Sequence, residues 1–265
     1  MRKKVSAAIV IYNDLEKAVK AVESLVENTK GVDLELFIID NNSEDNGGYE
    51  ISQRFPDLNV IVKEKNKGFG DGHNSVLEKL DSDYHAVINP DIVVDRDVLS
   101  ELSNFLDNNE DVVLVTPKIL NTDGTDQQLP KRNPTVLALV GRRIFRGLLK
   151  REVEHYQMKD KDLSKTVDIE FATGCFFMLR TSVFKKLGGF DTNFFLYYED
   201  MDITRRAKGL GRTVYYPKTY VYHAWERSSM KQLKYFLLLV LGMFKYFNKW
   251  GWKWKYSRGE KSNGL

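Results

Sequence analysis

Five apolar runs fill the first 120 residues, with helix-like segments between them, and they constrain this chain more than any other feature. They are Val5–Tyr12, Leu34–Asp40, Asn59–Lys63, Tyr84–Asn89 and Val112–Thr116. The runs are continuous rather than alternating, so both faces of each strand need cover. The segments between them supply it. Leu15, Ala18, Val19, Val22, Leu25 and Val26 fall on one face of a helix that Asp14 can cap. Val98, Leu99, Leu102, Phe105 and Leu106 do the same on a helix that Asp95 can cap, and Tyr49–Phe55 and Gly72–Leu80 read as shorter helices. This alternation argues an α/β fold with a mainly parallel sheet covered on both faces. An apolar share of 42% over 265 residues supplies the core it needs.

The pattern changes after residue 120. Asn121-Thr-Asp-Gly124 is a hairpin-type turn signal. Leu129–Lys165 is basic and weakly periodic, with Arg142, Arg143, Arg146, Lys150 and Arg151, and is expected to be a mobile or partly helical excursion. Ile169–Leu179 reads as a strand, and Thr181–Leu187 as a short helix stopped by Gly188-Gly189. A helix over Glu199–Leu210 ends at Gly209 and Gly211, and short strands follow at Thr213–Tyr216 and Tyr220–His223. A last helix is expected from Ser228 or Ser229 to about Lys249.

In open α/β sheets, ligands sit beyond the carboxyl ends of the strands. Those ends carry Tyr12 and Asn13, then Asp40-Asn-Asn42-Ser43, then Asn66-Lys-Gly68-Phe69-Gly70 with Asn74, then Asn89-Pro-Asp91. Any one of them can be a turn or a helix cap. Four on one rim are hard to explain that way. Asp40 suits a base or ribose hydroxyl of a nucleotide, and Gly68, Gly70 and Gly72 let backbone approach a ligand closely. The glycine spacing is neither a dinucleotide fingerprint nor a P-loop. Asp91 is a hard oxygen ligand suited to Mg²⁺ or Mn²⁺ on a diphosphate, and His223 is the best candidate to join it. Behind the aromatic run Phe194, Phe195, Tyr197 and Tyr198 stand Glu199, Asp200 and Asp202. Acids beside large rings lose water, and a raised pKa makes a carboxylate a better base.

This order of motifs resembles the inverting glycosyltransferases of family 2, which have the GT-A fold, over about residues 4–250. The marks are Ile9-Val-Ile-Tyr-Asn13, Ile39-Asp-Asn-Asn-Ser43, Asn66-Lys-Gly-Phe-Gly70 with Asn74, Asn89-Pro-Asp91, Gly174 within Ala172–Met178, the Gly188–Arg206 stretch and His223. The wording is most similar to bacterial rhamnosyltransferases that use dTDP-L-rhamnose in cell-surface polysaccharide synthesis. The resemblance implies that Tyr12, Asn13, Asp40, Asn42, Asn66, Gly68, Phe69, Gly70, Asn74, Asn89, Asp91 and Gly174 shape the nucleotide-sugar site. It implies a metal on Asp91 and His223 and a general base at Asp200, with Asp202 the rival base and Glu199 orienting a neighbour. Arg205 and Arg206 either pair these acids or reach the diphosphate. Asn89 stands where the family usually has an acid. The implied division is 1–120 for the donor, 121–226 for acceptor and catalysis, and 227–265 as a basic helix and tail. A UDP-sugar donor, a sugar nucleotidyltransferase and a non-catalytic carbohydrate- or membrane-binding module are the alternatives. Tyr12-Asn13-Asp14 in place of a glycine-rich loop disfavours the nucleotidyltransferase.

The net charge of +3 does not call for a nucleic-acid partner, but nine Lys or Arg stand against one acid between Arg227 and Lys261. Within that stretch Tyr235–Phe244 is apolar all round and too short to span a bilayer, which needs about 20 residues. Trp250, Trp252 and Trp254 interleave with Lys253 and Lys255, as membrane interfaces favour. Either the segment rests on the inner face of the membrane, near a lipid-linked saccharide acceptor, or it packs on the domain or a homodimer partner. The lone Cys175 reads as a buried hydrophobe and permits no internal disulfide. With the N-terminal run read as a strand rather than a leader, a cytoplasmic, membrane-peripheral protein is expected.

Overall fold

The computed structural model describes residues 2–143, 147–224 and 233–257. The first half follows the expected alternation: β1 (Lys4–Ile11), α1 (Leu15–Asn28), β2 (Asp33–Asp40), α2 (Gly47–Arg54), β3 (Asn59–Val62), α3 (Phe69–Asn74), β4 (Tyr84–Ile88), β5 (Ile92–Val93), α4 (Val98–Asp107) and β6 (Val112–Leu120). The second half adds α5 (Val136–Arg143), α6 (Lys150–Tyr156), β7 (Val167–Asp168), β8 (Phe176–Arg180), α7 (Thr181–Lys186), α8 (Glu199–Lys208), β9 (Arg212–His223) and α9 (Leu233–Trp250). The sheet runs β3-β2-β1-β4-β8-β6-β9-β5, with β7 also on β9. Strands β3, β2, β1 and β4 are parallel, and β8 is antiparallel to both β4 and β6. The expected mixed, mainly parallel sheet is present.

β1 shows why. Val5 to Ile11 are all buried because β2 and β4 flank the strand and helices cover both faces. Its one polar interior residue, Ser6, meets Ser82 Oγ at 2.7 Å and His85 Nδ1 at 2.8 Å, so its burial leaves nothing unpaired. On α1, Ala18, Ala21, Val22 and Leu25 bury at helical spacing. Val22 and Leu25 each contribute about 1.5–3 kcal/mol by leaving water, more than helix propensity can.

The helix starts differ from expectation. Asp14 holds the cap position of α1 without a side-chain cap bond, and Asp45 Oδ2 accepts from the Leu15 amide at 3.2 Å instead. Asp97 caps α4, accepting from the Ser100 amide at 3.2 Å, because a cap must stand directly before the first helical residue. Asp95 lies two residues too early and faces the hydroxyls of Tyr220 and Tyr222. The expected helix over Gly72–Leu80 starts earlier, at Phe69, and gives way to a single 3₁₀ turn at Leu77–Lys79.

In the second half the strand expected over Ile169–Leu179 forms only from Phe176 onward, with a separate short strand just before Ile169. Val167–Asp168 pair with β9, whereas Phe176–Arg180 insert between β4 and β6. The intervening residues cross from one strand to the other, and that crossing builds the candidate site. The two short strands expected at Thr213–Tyr216 and Tyr220–His223 are halves of β9, joined across a register shift opposite Pro117 and Lys118. The basic excursion forms α5 and α6, which pack so closely that a Cβ on Gly141 would lie 2.7 Å from Leu149 Cβ. Residues 144–146, the expected start of the last helix near Ser228 and Ser229, and the final basic residues Arg258 and Lys261 lie outside the described residues.

α9 is not separate from the second half. Its Tyr246 and Phe247 join Val136, Tyr156, Phe171, Phe194, Tyr198 and Met201 in one buried cluster. Among the described residues, no helix is long and apolar enough to cross a membrane.

Candidate active site

The crossing segment that ends at Gly174-Cys175 passes the carboxyl end of β4. There the Asn89 amide donates to the Cys175 carbonyl at 2.8 Å, and the Gly174 amide donates to Asp200 Oδ2 at 3.0 Å. Two residues on from Asn89 lies Asp91. The two carboxylates, from opposite halves of the chain, thus flank one dipeptide. Both are near enough to push the buried Cys175 thiol's pKa up, after the larger effect of its burial. The bland reading of Cys175 holds.

Asp91 and His223 are brought together, Oδ1 to Nε2, at 3.3 Å. Their positions follow from β5 pairing with β9, which sets Ile92 opposite His223. Gln127 orients the ring: its Nε2 donates to the His223 carbonyl at 2.9 Å, so its Oε1 faces His223 Nδ1 at 3.1 Å. A neutral ring therefore carries its proton on Nδ1 and turns the Nε2 lone pair to Asp91. Asp91 Oδ1 is buried and accepts no hydrogen bond. Two acceptors converging on one spot, with the histidine fixed from behind, fit a cation's ligands. Among the described residues no group of three His, Cys, Asp or Glu converges, so other ligands of such a cation would be ligand oxygens and water.

The three acids near the start of α8 have different surroundings. Asp200 accepts from Gly174 through Oδ2 and from the Met201 amide through Oδ1 at 2.8 Å, and it is partly open to solvent. Burial raises its pKa against those two amides and the charge of Lys131. Asp202, the expected rival base, is fully buried and saturated. It takes Arg206 Nε at 2.7 Å, Lys249 Nζ at 2.7 Å and Trp250 Nε1 at 2.9 Å. A carboxylate that is fully buried and held by three donors is not presented to a substrate, and in this structure Asp202 anchors α8 to α9. Of the two expected roles for Arg206, pairing an acid is the one present: it also donates to the carbonyls of Leu187 and Gly189. Arg205 stacks over the Trp250 ring at 4.4 Å.

Glu199 is buried with Oε2 unpaired, and burial, then the charge of Asp200, push its carboxyl well above the usual range. A folded-state pKa above the unfolded value favours the protonated form, so the stability it contributes is present at low pH and lost as pH rises. Glu199→Gln is therefore expected to melt higher than the parent, by a margin that widens between about pH 5 and about pH 8. Thermal melts at both values measure it, and a margin that shrinks on raising pH defeats the assignment.

Two consecutive non-glycine residues before α8, Tyr197 and Tyr198, have φ of 70° and 72°. Such strain persists only where surrounding structure enforces it. Here α9 does, since Gly242 lies so close that a Cβ would meet Tyr198 Cδ2 at 2.8 Å and the Tyr197 carbonyl at 3.0 Å.

On the donor side, Asn13 and the loop after β2 are laced together. The Asn13 amide donates to Ser43 Oγ and Asn13 Oδ1 accepts from the Glu44 amide. Tyr12 is exposed at the rim, and Asn42 stands in the left-handed region with φ 64°. Asp40 is buried, and its two oxygens accept from the amides of Ser43 and Gly48, each at 2.8 Å. Its visible work is to fold that loop. Asn66 Oδ1 accepts from the Gly68 amide at 2.9 Å. The glycines approach protein rather than open space. A Cβ would meet the Phe195 carbonyl at Gly68, Phe190 at Gly70 and Val10 at Gly72. Asn74 points away, donating to the Phe190 carbonyl and accepting from its amide. Phe69 packs on His73 and Phe190, and its ring edge reaches Gly174.

Lys131 and Gln127 escaped sequence reading. Lys131 is buried over the Phe171 ring, and its pKa is lowered to about 7, chiefly by burial. Neither sits in a motif, and only the fold of the 121–175 excursion brings them in.

The glycosyl transferase family 2 model matches residues 6–188. A low-salt glycan biosynthesis hexosyltransferase, Agl10, of Haloferax volcanii is 27% identical over 76% of this chain and 61% of its own length. An N-acetylglucosaminyl-diphospho-decaprenol L-rhamnosyltransferase of Mycobacterium tuberculosis is 23% identical over 71% of this chain and 66% of its own. The rhamnosyltransferase WbbL of Escherichia coli is 26% identical over 74% and 75%. The chain thus spans about two thirds or less of the first two relatives. Among solved structures, Staphylococcus aureus TarS 1–349 aligns with a TM-score of 0.59 at 18% identity, covering 92% of this chain and 66% of that one. GalNAc-T7 with UDP, GalNAc and Mn²⁺ aligns at 0.65 and 14%, covering 93% and 48%. The expected GT-A fold is therefore present, and with a family model spanning more than half its length, this chain belongs to glycosyl transferase family 2.

Proposed function

We propose that this protein is an inverting glycosyltransferase that moves L-rhamnose from dTDP-rhamnose to a hydroxyl of a lipid-linked saccharide, in surface-polysaccharide synthesis at the inner face of a membrane. The observation that carries the reading is the pair of carboxylates flanking Gly174-Cys175, one matched with a histidine and one held by two amides. Asp91 and His223 would hold a divalent cation, Mg²⁺ or Mn²⁺, which when bound supplies positive charge against the leaving diphosphate. The strand-end loops of the first half, with Asp40 folding one and Asn66 another, form the walls for the nucleotide. Asp200 takes the proton of the acceptor hydroxyl as its oxygen bonds to the anomeric carbon. The bond from that carbon to the diphosphate breaks with its electron pair, so configuration inverts in one displacement. Rhamnose and the lipid-linked acceptor are supported by two relatives named for rhamnosyl transfer, one of them naming a diphospho-decaprenol.

Incubation with dTDP-rhamnose and an N-acetylglucosaminyl-diphospho-lipid analogue, with product mass as readout, tests the reading. No product with this donor, but product with a UDP-sugar, would replace rhamnose while keeping the mechanism. Asp91→Asn is expected to lower turnover by about 10²–10³-fold, the scale for loss of a group that stabilises developing charge. It should also abolish the thermal stabilisation that Mn²⁺ gives with dTDP. An Asp91→Asn protein with the parent's metal response would remove Asp91 from the cation site.

A further inference from the structure

α9 has two faces, and among the described residues only one packs on the fold. Gly242, Tyr246 and Trp250, spaced four residues apart, look inward onto Tyr197, Tyr198 and Asp202. The other face is apolar and open. Leu233 is 73% exposed, Leu237 52%, Leu241 56% and Phe244 47%. At about 100° per residue these positions lie within one quarter-turn of the helix. The stripe continues into the tail, because the Trp252 ring packs on Phe244 and Phe247 and the Trp254 ring lies 6.3 Å from Trp252.

We infer that this face docks on an anionic lipid bilayer, lying in the plane of its surface. Residues 233–257 contain five lysines and no Asp or Glu, and Lys234 and Lys255 are exposed beside the stripe. Apolar side chains bordered by cationic and indole groups match the acyl boundary and headgroup layers of such a surface. A second copy of this chain is a poorer occupant, since a two-fold contact would set one lysine-rich face against another. Among the described residues no helix is long and apolar enough to span instead. Deepening the transferase reading on which it rests, the surface sets an acceptor distance. Tyr197, Tyr198 and the first turn of α8, which carries Asp200, lie on the opposite side of α9, about 10–12 Å of helix thickness from the lipid. A sugar joined to lipid through a diphosphate is thereby presented at the height of the base.

Vesicle co-sedimentation of the full chain tests this without reference to activity. The parent protein is expected to sediment with phosphatidylcholine vesicles containing phosphatidylglycerol, and at least ~10-fold less with phosphatidylcholine alone or near 1 M salt. Leu237→Gln/Leu241→Gln should bind the anionic vesicles at least ~10-fold more weakly. Both side chains are more than half exposed, so its melting temperature and its turnover of a soluble acceptor should match the parent. Absence of parent binding, or binding unchanged in the double variant, overturns the inference. So does a dimer in sedimentation velocity that the same substitutions dissolve while vesicle binding is absent. Transfer to a soluble acceptor is read separately, so its failure would count against the transferase reading and not against the docking face.

Discussion

Asp200→Asn is expected to lose about 10²–10⁴-fold in turnover, the usual contribution of a positioned general base, while its thermal stability stays close to the parent's. The two expectations rest on different atoms. The amide cannot accept the proton of an attacking hydroxyl, so the proton has no destination as the new bond forms. Stability hardly changes because two effects oppose. Asparagine gives up one of the bonds from Gly174 and Met201, a loss of about 1 kcal/mol. It also removes a carboxylate whose pKa burial raises, and so relieves an ionisation that costs stability as pH rises. Asp202→Asn is the control. There the variant strips the charge from two ion pairs and turns amide hydrogens toward one of the donors, at about 1–3 kcal/mol, although Arg206 keeps the carbonyls of Leu187 and Gly189 and Lys249 keeps Asp191. The base thus loses turnover at constant melting temperature, whereas the anchor loses melting temperature first. Turnover preserved in Asp200→Asn, with product quantified at saturating donor, would sink the assignment.

The first half of the fold was legible because its signal is local. Continuous apolar runs at β1, β2 and β4 report burial on both faces, and the ligand-facing rim follows from strand direction alone. What the sequence hid was contact between distant segments. Asp200 and Asp202 look alike in a stretch of acids, and helix geometry says only that they diverge. It takes α9, about 50 residues on, to show that Trp250 and Lys249 claim Asp202. The pairing of Asp91 with His223 was anticipated as chemistry, but Gln127, which fixes the ring, belongs to a turn with no motif. Ile169–Leu179 failed as one strand because an apolar run cannot reveal that its first part crosses between strands. The glycines after β3 were recognised as places of close approach, and at Gly68 the approach visible in the structure is to the Phe195 carbonyl.

That partner makes Gly68 the most sensitive backbone position in the site. Its φ of 102° and ψ of 175° lie in a region essentially reserved for glycine. A Cβ there would sit 2.1 Å from the Phe195 carbonyl oxygen, which itself accepts from the Phe69 amide at 3.0 Å. The Gly68 carbonyl in turn accepts from Asn41 Nδ2 at 3.1 Å. One glycine therefore stitches the donor half to the loop leading into Glu199 and Asp200. The blocking atom is backbone, so no side-chain rotation relieves the contact. Gly68→Ala is expected to cost at least about 3 kcal/mol, from backbone strain of about 1–3 kcal/mol plus overpacking of about 1–3 kcal/mol. Gly124→Ala separates the two contributions. Gly124 also has positive φ, 82°, but nothing lies within 4 Å of its Cβ position, so only the strain should appear. Urea unfolding of both variants gives the comparison. Equal losses would mean that the Phe195 carbonyl yields easily and that the seam between the halves is soft. A much larger loss at Gly68, with turnover falling alongside it, would mean that the two halves are held in register there, placing Asp200 against the donor.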